Sequence, residues 1–198
     1  IKKHGDVVKF VVENANEEIG VDVKKFGNIE AMPGDTIRYD FSDIRNESNV
    51  PLDNFYWRDI LPTDAVTLRI ISTGTWNEEL KYTIYYKTNL VSEERALAER
   101  LSTSTNNTID CSASAVKLKA GEVITEIRFD FGTVQPGFEP LTNPYITCLV
   151  HPDLPHEYRF KNCTDVGGER GDEWVIDKDC WVTVIYAVPK GKLPKTGN

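Results

Sequence analysis

Val123-Ile124-Thr125-Glu126-Ile127-Arg128-Phe129-Asp130-Phe131 decides the fold class. Val123, Thr125, Ile127, Phe129 and Phe131 fall on one face of an extended chain and Glu126, Arg128 and Asp130 on the other. That period of two sends the first set to a core and the second to water. Leu80, Tyr82, Ile84 and Tyr86, set against Lys81, Thr83 and Lys87, repeat the pattern. Further β-type runs are Asp6 to Val12, Gly20 to Lys25, Asp35 to Phe41, Asn54 to Ile60, Val66 to Ser72, Tyr145 to His151, Tyr158 to Thr164 and Trp181 to Val188. The last run is apolar on both faces, which predicts a central strand. Pro33-Gly34-Asp35, Asn49-Val50-Pro51, Gly74, Pro136-Gly137 and Gly167-Gly168 read as turns between them. Only Ser92 to Leu101 reads as helix, with Ser92 as cap, Glu93 and Glu94 in the first turn, and Leu97 and Leu101 four apart. Many short strands with almost no helix predict an all-β protein, an antiparallel immunoglobulin-like β-sandwich with at most one short helix.

The chain has 198 residues, 40% of them hydrophobic and 27% charged, enough to bury a full core. No break in composition divides it, so residues 1–188 are expected to form one β-sandwich surface domain and residues 189–198 a polar tail. Residues 1–30 alternatively close a preceding module. The net charge of −8 excludes the basic surface that nucleic acid or anionic lipid requires. The four cysteines, Cys111, Cys148, Cys163 and Cys180, lack the paired spacing of a zinc site, so no metal is expected, and no cofactor. Four cysteines allow two disulfides in three connectivities. A hairpin about Leu154-Pro155 would set Cys148 opposite Cys163, and one about Gly167–Gly171 would do the same for Cys163 and Cys180. We expect the first and leave the second open.

At the carboxyl end, Leu193-Pro194-Lys195-Thr196-Gly197 is similar to the Leu-Pro-x-Thr-Gly (LPXTG) sorting signal that sortases cut when they fix proteins to a Gram-positive cell wall. A chance match is on the order of one in 10⁵ per starting position. Pro194 fixes its own φ and extends Leu193, so the peptide suits a groove. The resemblance implies attack by a sortase thiolate on the Thr196 carbonyl, departure of Gly197 as the amine, and transfer of the acyl group to peptidoglycan. A complete signal continues into an apolar segment and basic residues. We therefore expect the sequence to stop just past the cut site, with membrane contact only through a removed C-terminal segment, and the amino end to be trimmed as well.

Three internal stretches carry a second resemblance: Pro33-Gly34-Asp35-Thr36-Ile37-Arg38-Tyr39, Asn49-Val50-Pro51-Leu52-Asp53-Asn54 and Arg58-Asp59-Ile60-Leu61-Pro62. Their pattern resembles the DUF11-like immunoglobulin-type repeats of bacterial surface proteins. Asp165-Val166-Gly167-Gly168, Glu173-Trp174-Val175 and the Trp181 run look like the closing part of sortase-anchored surface proteins. Residues 1–29 match no pattern. Sandwiches in such proteins sometimes carry a spontaneous Lys–Asn isopeptide bond, made by a lysine on an early strand, an asparagine on a late one and a carboxylic acid beside both. Burial favours the neutral amine that attacks and the neutral acid that donates a proton. Lys24 or Lys25, Asp59 and Asn162 occupy suitable places in the chain. The plainer reading, which we take as the expectation, has both lysines solvated and Asn162 turning the chain.

The remaining candidates have plain readings too. His151-Pro152-Asp153-Leu154-Pro155-His156, near Cys148, offers metal or nucleophile chemistry, but its two prolines predict a rigid hairpin turn. Trp57, Trp76, Trp174 and Trp181, with Tyr85 and Tyr86, would bind sugars if exposed in a line and otherwise fill the core. Asp40, Asp43 and Glu47, or Asp172, Glu173, Asp177 and Asp179, lack calcium-loop spacing and read as solvated acids. The sequence thus predicts a non-enzymatic, extracellular, cell-wall-anchored stalk or adhesin module. Its partners would be a sortase and peptidoglycan. The alternative is a ligand-binding adhesion module for a host glycan or protein.

Overall fold

The computed structural model describes residues 16–187. The strands in chain order are β1 (Val21–Phe26), β2 (Glu30–Ala31), β3 (Thr36–Asn46), β4 (Leu52–Ile60), β5 (Val66–Ser72), β6 (Thr75–Trp76), β7 (Lys81–Thr88), β8 (Arg95–Ser102), β9 (Thr108–Asp110), β10 (Ile124–Val134), β11 (Pro140–Thr142), β12 (Tyr145–Val150), β13 (Arg159–Arg170) and β14 (Glu173–Ile185), with one helical turn, α1 (Ala113–Val116). A five-stranded sheet in the order β1-β3-β12-β5-β9 packs on a seven-stranded sheet in the order β2-β14-β13-β4-β10-β7-β8. Every pairing is antiparallel except that of β2 with β14. This is the predicted immunoglobulin-like sandwich.

Aromatic side chains join the sheets. Phe41 of β3 and Phe129 of β10 each lie 4.5 Å from Trp57 of β4, ring centre to ring centre, and Tyr82, Phe131, Phe138 and Trp76 continue the row. Inward residues alternate along the strands: Phe55 and Trp57 on β4, Phe160 and Val166 on β13, Val21 and Val23 on β1. On β10 the alternation is out of phase at its start, since Ile124 is buried while Val123 and Thr125 are not. The register with β7 shifts between Ile124 and Glu126, a bulge that resets which residues face inward.

Four expectations are corrected. Ser92–Leu101 is not helical; residues 95–102 form β8, paired with β7 through Tyr82 with Leu101 and Ile84 with Ala98. A spacing of four puts Leu97 and Leu101 on one side of a strand as well as of a helix, and the open edge of β7 settles the choice. Residues 181–185 belong to β14, which is not central: only the two-residue β2 lies beyond it, and Val182 is 44% exposed. Gly167 and Gly168 lie inside β13. A Cβ on Gly167 would stand 2.6 Å from the Tyr56 ring, so that glycine serves close approach and not a turn. The turn is Gly171-Asp172, with Gly171 at φ 59°. Residues 151–158 carry the chain from one sheet to the other, from β12 to β13, and are no hairpin.

Where β1 and β14 meet, β14 side chains finish the edge of the five-stranded sheet. The Val23 and Lys25 amides donate to Asp177 Oδ2 (3.1 Å) and Asp179 Oδ2 (2.8 Å). Thr183 Oγ1 and Trp181 Nε1 both donate to the Asn28 carbonyl, at 2.7 and 2.9 Å, holding the β1–β2 loop. These bonds bring the inward face of β1 over β13 and β4.

Candidate functional site

Three inward positions that alternation reserves for apolar side chains hold polar ones. Lys25 follows Val21 and Val23 on β1, Asp59 follows Phe55 and Trp57 on β4, and Asn162 lies between Phe160 and Thr164 on β13. The side chains of Lys25 and Asp59 are both 0% exposed, and Lys25 Nζ lies 2.6 Å from Asp59 Oδ1. Nζ also lies 4.5 Å from the ring centres of Tyr39 and Phe41, which wall it off from water. Thr164 Oγ1 accepts from Trp57 Nε1 and donates to the Arg58 carbonyl, fixing β13 against β4 next to the site.

Asn162 is fully buried and stands against the Asp59 carboxyl and the Tyr39 hydroxyl. It makes no hydrogen bond of ordinary distance and angle with either, so Asn162 Oδ1 and Nδ2, Asp59 Oδ2 and the Tyr39 hydroxyl all lack partners. Among the described residues seven buried side-chain polar atoms make no hydrogen bond of that quality, although one of them, Arg45 Nε, is ion-paired with Glu139 at 2.9 Å, and four of the seven meet here. Buried polar groups are otherwise nearly always paired, and an orphaned cluster calls for a chemical reason.

Electrostatics at the site favour neutral groups. Burial pulls the Lys25 amine below the ordinary lysine range, opposed by Asp59, and pushes the Asp59 carboxyl above the ordinary carboxylate range, opposed by Lys25. Both shifts move one proton from nitrogen to oxygen. The arrangement therefore brings an amine, a carboxyl and an unpaired carboxamide together in one dry pocket, where burial favours the neutral forms of the first two.

Other candidates lie elsewhere. Lys24 is exposed and 3.4 Å from Asp43. The expectation that Lys25 is solvated and that Asn162 turns the chain is corrected, since both are buried within strands, and the lysine at this site is Lys25. Cys163 and Cys180 form a disulfide between directly opposed residues of β13 and β14. Cys148 does not pair with Cys163, because β12 and β13 belong to different sheets; Cys148 and Cys111 are buried free thiols. Burial raises the Cys148 thiol, which senses Asp59 and Lys25 and no histidine, and pushes Cys111 up to about 12. His151 Nε2 lies 3.1 Å from Thr67 Oγ1, and His156 Nδ1 accepts from the Ala187 amide. Asp40 pairs with Arg38 and Asp43 with Arg45, while Asp177 and Asp179 hold β1. No three His, Cys, Asp or Glu residues are placed to hold a metal among the described residues. Trp57 and Trp76 are buried, Trp181 is half-buried and Trp174 is 49% exposed. Leu193–Gly197 and the Asp6–Val12 run lie outside the described residues. No helix among the described residues is long and apolar enough to cross a membrane.

Neither a protein-family model nor a curated protein matches the chain. Three solved structures are similar in fold. ACE19, the collagen-binding subdomain of the Enterococcus faecalis surface protein ACE, is 12% identical with a TM-score of 0.37, covering 83% of this chain and 95% of that one. AvmM, which catalyses macrocyclization in alchivemycin A biosynthesis, is 9% identical with a TM-score of 0.36, covering 87% and 92%. AggA, the major subunit of the Escherichia coli aggregative adherence fimbriae type I, is 8% identical with a TM-score of 0.33, covering 86% and 96%. Likenesses this remote join adhesins and an enzyme alike, and none assigns a function.

Sequence reasoning missed Tyr39 and Cys148 as neighbours of the site. It also missed a usable signal: Lys25, unlike Lys24, has the parity of Val21 and Val23.

Proposed function

We propose that this chain is a non-enzymatic module of a Gram-positive surface protein, fixed to peptidoglycan through Thr196 by a sortase, with a sandwich closed internally by an amide between Lys25 and Asn162. Residues 1–188 are the displayed body and residues 189–198 the sorting tail. The observation that carries the reading is the buried Lys25, Asp59 and Asn162 cluster with its orphaned polar atoms. The wall anchor rests on the sequence Leu193-Pro194-Lys195-Thr196-Gly197.

The proposed bond forms without an external reagent. Lys25 Nζ gives a proton to Asp59, and the neutral amine attacks Asn162 Cγ while Asp59 donates its proton to Oδ1. The Cγ–Nδ2 bond then breaks. Nδ2 leaves as ammonia with a second proton relayed from Nζ through Asp59, and Oδ1 returns its proton to Asp59 as the C=O re-forms, so the products are one amide and one ammonia, with the Asp59 carboxyl restored. Loss of Nδ2 removes an orphaned donor, and the new N–H and C=O supply partners for the carboxyl. Intact mass under denaturing, reducing conditions tests the bond: about 17 Da below the sequence mass is expected, and the full mass overturns it. A class A-type sortase with a glycine amine tests the anchor, releasing Gly197-Asn198 from the wild type and not from Thr196→Ala.

A second reading, a ligand-binding adhesion module, is favoured by Trp174, Ile176 and Val182, exposed on one side of β14. Binding to a glycan array that disappears in Trp174→Ala would establish it, and unchanged binding would remove it.

A further inference from the structure

Asn162 and Cys163 are consecutive on β13, one facing Lys25 in the core and the other bonded to Cys180 on the outer surface. A tension applied to the two ends of the chain enters before Lys25 and leaves after Cys180. We propose that the Lys25–Asn162 amide and the Cys163–Cys180 disulfide act in series as one covalent bypass, which carries that tension from β1 through two residues of β13 to β14 and spares the rest of the sandwich. The inference rests on the isopeptide reading above and adds the role of the disulfide.

The topology makes the two bonds complementary. The amide closes the long loop from residue 25 to residue 162, and the disulfide closes the adjoining loop from 163 to 180, a separation of 17. Because the loops adjoin without overlapping, neither bond duplicates the other. With the amide alone, pulling would still strip β14 from β13, since hydrogen bonds between antiparallel strands yield one at a time when load opens a hairpin from its ends. With the disulfide alone, about 137 residues from β1 to β13 would unravel. With both, the load path holds only the peptide bond between Asn162 and Cys163 and the two cross-links. The disulfide faces outward and half-buried, beside Lys178 and Trp181, within reach of a small reductant.

Single-molecule force spectroscopy on the whole chain, held at both ends, reads this directly. At ~3.6 Å per residue, the oxidised wild type is expected to show no unfolding step from residues 26–179, and a reductant should add one step of about 60 Å. Lys25→Met under oxidising conditions should release on the order of 500 Å. Tryptic digestion of the denatured, oxidised wild type identifies the bonds: one three-limbed product is expected, joining residues 25–38, 162–170 and 179–190. A product joining only 162–170 to 179–190 removes the isopeptide reading, and the bypass with it. A product joining only 25–38 to 162–170 removes the bypass and leaves the isopeptide reading intact. A three-limbed product from a chain that still releases on the order of 500 Å refutes the mechanical role alone.

Discussion

Replacing Lys25 by Met removes the nucleophile and keeps most of the apolar stem, which separates the cross-link from ordinary packing. The side chain is 0% exposed between Tyr39, Phe41 and Asp59, so a lysine-sized apolar group fits the space. The loop closed by the proposed amide spans about 137 residues, and loss of that constraint on the unfolded chain is worth ~5 kcal/mol. Asp59 is left without its partner, and an unpaired buried carboxyl adds ~1–3 kcal/mol. For a chain of this size each kcal/mol moves the Tm by ~2–4 °C, so Lys25→Met should melt about 10–20 °C or more below the wild type. Calorimetry on both proteins, with intact mass measured on the same samples, is the assay. The wild type should lack about 17 Da and the variant should not. A Tm change of only a degree or two, with the wild type lacking the ammonia mass, would show that the loop-entropy argument fails here. A wild type at full mass would show that no bond forms.

Asp59→Asn leaves the lysine and asparagine in place but removes the proton carrier, so the variant should keep its full mass after purification; loss of about 17 Da would show Asp59 dispensable. Thiol titration in denaturant should find two thiols, Cys111 and Cys148, without reductant and four with it, and none in the native state at pH 8; zero thiols in oxidising denaturant would mean a second disulfide. Glu122 accepts from the Lys119 amide, Thr88 and Arg95, and these bonds hold its carboxyl down to about 2. Its contribution is complete above its unfolded pKa near 4.5 and lost as pH falls toward about 2, so wild type and Glu122→Gln should converge in Tm across that window; a gap independent of pH would contradict the assignment. Gly167→Ala puts a methyl 2.6 Å from the Tyr56 ring and should cost ~1–3 kcal/mol, whereas an unchanged Tm would show that the ring moves aside freely.

The fold class was legible because period-two alternation recurs in nearly every strand, and Trp57, Phe129 and Tyr82 fall in the core that it predicts. Topology was not, since nothing local in Trp181 to Val188 tells a central strand from one whose flank is covered by Asn28 and Ala31. The Ser92–Leu101 error has the same root, because a spacing of four suits both periods and a partner strand decided. At the site, Lys25, Asp59 and Asn162 could be singled out by residue type. Exposure at Ile60 beside burial at Asp59 is the inversion that marks the acid as inward, and it shows only once the phase of β4 is known from Phe55 and Trp57. The cysteine pairing needed the sheet assignment of β12, which sequence symmetry about Leu154-Pro155 does not encode.

The carboxylates of Asp177 and Asp179 occupy the backbone donors that β1 would otherwise show to a neighbouring molecule. Copies brought side by side would find in such a row of free amides a template for strand-to-strand stacking into fibres. Two short acidic side chains thus close this edge of the five-stranded sheet to strand addition.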